Sequence, residues 1–108
     1  MTERSEITAL AVVKAFDGHE EECFQLLRDF YALLRRKGYS RNLLYRDQKN
    51  PACFINLRYW RSAEAAAQAQ EDPDVHRFWK RLSEIAEVTD VFERLEDVTP
   101  DEALPKPG

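Results

Sequence analysis

Cysteine and histidine are scarce in this chain, with two of each among 108 residues. Cys23 and Cys53 fall in stretches that read as helix and strand, with no paired spacing. They are expected as buried free thiols of a reducing compartment, not as a disulfide framework. His19 and His76 lie far apart in sequence and no Cys/His cluster accompanies them. The ordinary spacing of a dedicated metal site is therefore missing. Long apolar runs are missing too. The longest uncharged one, Ile7 to Val13, is far too short to span a bilayer. The opening MTERSE is polar and acidic where a signal peptide would be basic and then apolar, so a cytoplasmic location is expected. Positive charge is in deficit, with 16 Lys and Arg against 20 Asp and Glu. A net charge of −4 offers no attraction to phosphate backbones, which argues against nucleic acid as a partner. No internal repeat or low-complexity segment stands out.

What the chain does have is a globular composition, 44 % hydrophobic and 33 % charged, in a length that suits one domain. Ile7 to Phe16 is apolar on both alternating faces and reads as a strand, broken by Asp17-Gly18. From Glu20 to Lys37 a stripe through Cys23, Leu27, Phe30 and Leu34 has helical spacing. Three glutamates load its first turn and Arg35, Arg36 and Lys37 its last, each sign matching the helix dipole, with Gly38 as a stop. Tyr39 to Arg46 and Ala52 to Trp60 read as two strands joined by the turn DQKNP, an antiparallel hairpin. Ser62 can cap the alanine-rich helix SAEAAAQAQE, whose small side chains would let it lie close to its neighbours. Asp72-Pro73 ends that helix and starts another, in which Val75, Phe78, Trp79, Leu82, Ile85 and Ala86 keep three-four spacing. Thr89 to Val98 alternates as a closing strand. The expected domain is 1–98, followed by a proline-rich, flexible tail at 99–108.

The order β-α-β-β-α-β predicts an α+β, ferredoxin-like fold: one four-stranded antiparallel sheet with helices on one side. Helices cover only one face, yet the first and third strands are apolar on both. A second copy packed sheet against sheet is the expected cover, giving a homodimer.

The stretch FINLRYW raises a sharper question. Period-two alternation puts Phe54, Asn56, Arg58 and Trp60 on one side and Ile55, Leu57 and Tyr59 on the other. An amide, a guanidinium and an indole thus share a face of an apparently buried strand. Three stretches, VVKAFDGHEEECFQLL, LLYRDQKNPACFINLRYWRSAEAAAQ and DPDVHRFWKRLSEI, resemble the antibiotic biosynthesis monooxygenase (ABM) family of dimeric α+β barrels. The resemblance runs from Ile7 to about Val98. It implies that Asn56 and Trp60, spaced N-x-x-x-W, correspond to a pair in cofactor-free anthrone oxygenases, which oxidise a phenolic or anthrone substrate with molecular oxygen alone. The tyrosine of those enzymes, six residues past the tryptophan, would fall on Ala66, and their arginine near Lys80 and Arg81. The haem-degrading branch fits less well. Its axial histidine would fall nearer Lys80 than His76, and its tryptophan near Ala67.

Triplet oxygen reacts with an organic molecule that gives up an electron readily, as a deprotonated phenol or anthrone does. The chemistry asks for a dry apolar slot, a proton acceptor and donors to an oxyanion, with no cofactor and no metal. Asn56 is a candidate donor to that oxygen, Arg58 a candidate for stabilising its charge, Trp60 a flat wall, and His76 a general base with an ordinary pKa near neutrality (~6.5). Phe54, Phe78 and Trp79 are candidate contacts to an aromatic small-molecule substrate. Each has a plainer alternative. Asn56 satisfies a buried backbone group, Arg58 pairs with a carboxylate such as Glu93 or Asp47, Trp60, Phe78 and Trp79 are core, and His76 is a surface residue. A non-catalytic binding or sensing module, or a dimerisation domain, would use the same fold.

Overall fold

A computed structural model describes residues 6–103; residues 1–5 of the opening MTERSE and the last five of the tail lie outside the described part. The elements run β1 (Ile7–Ala15), α1 (Glu20–Arg36), β2 (Ser40–Arg46), β3 (Cys53–Trp60), α2 (Ala63–Glu71), α3 (Pro73–Ile85) and β4 (Ala86–Leu95), with a short 3-10 turn at Asp101–Ala103. The four strands form one antiparallel sheet in the order β2-β3-β1-β4. The expected α+β, ferredoxin-like architecture is what forms.

Local signals explain most of the boundaries. Gly18, at φ +85°, turns the chain from β1 into α1. At the other end of α1, Gly38 takes φ +75°. Its N–H and that of Tyr39 return to the carbonyls of Arg35 and Leu34, the double bond of a Schellman stop. Ser62 Oγ accepts the Ala65 N–H at 3.0 Å and opens α2. The last strand departs from the sequence reading: it runs Ala86–Leu95, three residues earlier than the expected Thr89 to Val98. Ala86, placed by its spacing on the last helix, is the first residue of β4, and the strand starts there with no loop. The Ala86 N–H still bonds back to Leu82 while its backbone is already extended, so the helical spacing carries one residue beyond the helix.

Residues directly opposite one another in an antiparallel ladder share a face. The helix-covered side therefore carries the row Arg46, Phe54, Val13 and Val88. On it Phe54 is fully enclosed, with Val13, Leu27, Leu82 and Ile85 in one core cluster. A second cluster, Phe30, Leu33, Leu34, Ala69 and Val75, sits towards the other end of the helices. The opposite side carries the row Leu43, Leu57, Leu10 and Phe92, and no helix covers it. Leu43 and Phe92 are 43 % and 50 % exposed, a large apolar face among the described residues. Cys23 is buried and Cys53 half-buried, and both are free thiols. Burial raises the Cys23 pKa to about 11, which keeps the thiol protonated.

A polar junction ties the helices together. Asp72 accepts the Asp74 N–H at 2.9 Å as the cap of α3. Its carboxylate also takes Lys37 Nζ and the Tyr39 hydroxyl, each at 2.7 Å. These bonds hold its pKa down at about 2 against an ordinary 3.8, the Lys37 bond contributing most. A depressed carboxylate adds stability above its unfolded pKa and loses it as pH falls through the folded value. Asp72→Asn, which keeps a cap acceptor but not the charge, is expected to melt below wild type at pH 7. The gap should close as pH falls from about 4 to about 2, read by thermal melts across that range. Phe54→Ala, which opens a void in the closed core, is expected to cost about 3–5 kcal/mol in denaturant unfolding.

Candidate functional site

Beside the enclosed core, the helix-covered face of the sheet opens into a hollow of about 660 Å³ between the strands, α2 and α3. Its cause is small side chains on both walls. Ala9 and Ala11 of β1 stand opposite Arg58 and Asn56 of β3, and α2 presents Ala63, Ala66 and Ala67 across the gap. The alanines expected to bring α2 close instead leave room on this flank, while Ala65 and Ala69 of the same helix are the buried ones. A volume of this size lies in the range of small-molecule sites (about 300–1,000 Å³).

Asn56, Arg58, Trp60 and Trp79 all line the hollow, so four of the seven residues singled out from sequence meet there. Asn56 is 5 % exposed, and its amide nitrogen is buried with no hydrogen-bond partner. A buried donor in that state costs roughly 1–3 kcal/mol. It does not serve as the backbone-satisfying group that its plainer reading required.

Arg58 also departs from the plainer expectation. Neither Glu93 nor Asp47 pairs with it, and among the described residues no carboxylate does. Its Nε donates to Asn42 Oδ1 at 2.7 Å, and Asn42 Nδ2 donates in turn to Ser40 Oγ at 3.2 Å. The guanidinium lies over the rings of Phe30 at 5.2 Å, Trp60 at 5.2 Å and Tyr31 at 5.9 Å. Burial lowers its pKa, opposed by Tyr31, yet an arginine stays charged. The reason for the neutral partner is register: β2 places Asn42 directly across from Arg58. Glu93 sits on exposed β4 at the wall of the hollow, and Asp47 lies beyond the end of β2.

The other three candidates are elsewhere. Phe54 faces the same side as Asn56 but is sealed in the core, stacked on Phe24 with centroids 6.3 Å apart. Phe78 stacks on Phe30 at 5.2 Å and belongs to the second core cluster. His76 is exposed, and its Nε2 pairs with the Gln70 carbonyl, which requires the proton on that nitrogen. Neither ring nitrogen of His76 is on the wall, so the expected general base is not at the site. Tyr31 has a buried, unpartnered hydroxyl whose pKa is pushed far up by burial, but it too is off the wall. Among the described residues, the one carboxylate lining the hollow is that of Glu93.

Sequence reasoning missed Asn42, the alanines of both walls, and Val88 and Val91 of β4. A hairpin centred on Asn50 would have paired Asn42 with Arg58, since that register runs from Arg46 opposite Phe54 to Ser40 opposite Trp60. The alanines carry no such signal, because a missing side chain announces nothing until the facing wall is known.

Among curated proteins, none matches this chain. A family model described as antibiotic biosynthesis monooxygenase matches residues 6–81. Solved structures share the fold. SnoaB, a cofactor-independent oxygenase from Streptomyces nogalater, aligns with a TM-score of 0.73 at 17 % identity, over 89 % of this chain and 99 % of that one. A Pseudomonas aeruginosa protein aligns with a TM-score of 0.71 at 24 % identity, over 85 % of this chain and 96 % of the other. A Bacteroides thetaiotaomicron protein of unknown function gives 0.74 at 16 % identity, over 84 % and 99 %. A family match that takes in β1 through most of α3, with the same fold in these structures, is sufficient: the chain belongs to the antibiotic biosynthesis monooxygenase family.

Proposed function

We propose that the protein is a cofactor-independent monooxygenase acting on an aromatic molecule of the anthrone, phenol or quinol type, working as a homodimer. The observation that carries the reading is the buried, unpartnered amide N–H₂ of Asn56, on the same wall of the hollow as Trp60. A donor kept dry and unused is preorganised for an oxygen that becomes negative during reaction.

The chemistry closes without an external reductant. Loss of a proton from a ring CH₂ of an anthrone gives a delocalised carbanion whose charge rests largely on the ring oxygen. One electron passes to O₂, and the carbon radical and superoxide combine to a peroxide. Loss of water, taking the second C–H proton, leaves a ketone. The carbon gives up four electrons, which fully reduce O₂; one oxygen atom stays in the product and the other leaves in water. Asn56 would hold the ring oxygen, Arg58 would favour its charge, and Trp60 and Trp79 would bound the ring plane. Glu93 is the wall group able to take a proton.

One observation favours a second reading, a non-catalytic binding module. Among the described residues the wall carries neither histidine nor tyrosine, and Ala66 occupies the place where the oxygenases' tyrosine would fall.

Oxygen uptake with a dihydroxyanthrone separates the two. Catalysis requires uptake above the spontaneous rate, with Asn56→Ala lowering kcat by about 10²–10³-fold. Trp60→Phe is expected to raise KM by roughly several-fold, through lost ring contact. A thermal shift without uptake would establish the binding module, and wild-type rates in both variants would refute the site.

The dimer is supported by the helix-free apolar face, with Leu57 and Leu10 at its centre and Tyr45, Phe92 and Leu95 exposed around them. Sizing in solution is expected to give twice the chain mass of 12.7 kDa, and Leu57→Arg to return the mass of one chain. A wild-type mass of one chain would remove the dimer from the proposal.

A further inference from the structure

Arg58 is a cation inside an acidic protein, and its surroundings leave it half used. Nε is occupied by Asn42, while the two terminal nitrogens make no hydrogen bond to any described residue. The rings of Phe30, Tyr31 and Trp60 offset part of the cost of burying the charge, since each presents a negative face to a cation. They cannot satisfy N–H donors that point elsewhere. Around the hollow the remaining charged groups among the described residues are Glu93 and Arg94, both exposed on β4. Its walls thus carry two guanidinium groups and one carboxylate, a positive balance within a chain of net charge −4.

Two features make this more than a stray charge. Asn42 is itself tied to Ser40, which is buried, so the tether fixes the plane of the guanidinium. A planar fork held in one orientation suits a planar anion with two oxygens, through two parallel charge-assisted bonds. Asn56, one step along β3 on the same face, leaves its buried donor free on the same wall. Among the described residues, the acceptors on the walls, Glu93 of β4 and Gln70 of α2, make no hydrogen bond to either donor. A ligand that completes these bonds brings acceptors of its own, and negative charge on it suits the Arg58 fork.

We propose that the natural ligand is an aromatic carboxylate, whose carboxylate is received by the terminal nitrogens of Arg58 while its rings lie between the alanines of β1 and α2. The proposal deepens the functional reading by naming a substrate class, and it rests on that reading only in taking the hollow as the ligand site. Arg58 then recognises a charge already present on the free ligand, a role separate from favouring an oxyanion formed during reaction.

Binding, not turnover, tests it. The probes are 2-naphthoate and its neutral isostere 2-naphthamide, titrated into the wild-type protein by calorimetry at pH 7. The carboxylate is expected to bind at least ~10-fold more tightly, as suits a charged hydrogen-bonded pair. Arg58→Met should abolish the preference, chiefly by weakening naphthoate, while Arg94→Ala at the rim should keep the preference. Arg58→Lys, which retains charge without the fork, should keep only part of it, and it serves if the methionine variant fails to fold. Equal wild-type affinities for the two probes, or a preference surviving in both Arg58 variants, would overturn the assignment. A preference lost in Arg94→Ala would do the same, by moving recognition to the rim. Anthrone oxygenation can fail while the naphthoate preference holds, and the reverse, so the two readings stand or fall separately.

Discussion

The two-residue period of β3 sets the terms for everything else in this molecule. Once Phe54 enters the core, Asn56, Arg58 and Trp60 must follow it to the same side of the sheet, beneath the helices. That side is where polar groups are most costly. A slip of one residue would send the guanidinium and the amide to the open face, but it would also expel Phe54, the fully enclosed residue of the strand. Phe54 is therefore the anchor that keeps two polar side chains under the helices. The hollow beside them follows from Ala9 and Ala11, which share that face and do not fill the space that larger residues would.

Housing Arg58 is the main electrostatic task of the fold, and it is met without an ion pair. A carboxylate partner would neutralise the charge and use up both sides of the fork. Asn42 instead accepts from Nε alone, and the rings supply diffuse compensation. The cation remains positive and only partly satisfied. In a protein selected for stability alone, an apolar residue of similar volume would serve as well or better at such a site. The retained charge, like the orphaned Asn56 donor, is an energetic cost that makes sense where a ligand completes the bonding. The contrast with Asp72 is instructive. There the same chain brings Lys37, Tyr39 and the α3 N-terminus onto one carboxylate, and nothing is left over for a ligand.

Much of this architecture was legible in the residues because the signals are local. The Schellman glycine, the Ser62 cap, Asp72-Pro73 and the apolar stripes each act within a few positions, and the elements fall where they indicate. The α3–β4 boundary escaped because Ala86 fits a helical stripe and a strand's first residue equally well, and no glycine or proline marks the change. The site was half legible for the same reason. Asn56, Arg58 and Trp60 stand out within a single strand. Whether Phe54 or Phe78 faces a hollow or a core depends on what the helices bring against them, and that information is not local. Phe78 meets Phe30 and is half-buried against the second cluster, while Phe54 meets Phe24 and is sealed. His76 lies off the wall of the hollow because one helical step beyond Val75 is enough to carry a side chain from the apolar stripe to solvent.

The exposed strand β4 links the two unsatisfied features of the chain. Its helix side carries Val88 and Val91 on the wall of the hollow, and its open side carries Phe92 and Leu95 on the uncovered face. Beyond Ala86 none of its residues is buried, although the strand pairs with β1 along most of its length, with two irregularities in register. Backbone pairing alone gives a strand little reason to carry four large apolar side chains outward on both faces. A surface that stabilised the sheet by covering Phe92 and Leu95 would stiffen the same strand that bounds the hollow. In the proposed dimer, then, assembly and the shape of the ligand site would be coupled through β4, with Arg58 and Asn56 held on the interior strand β3 and the exposed wall placed at the edge of the sheet.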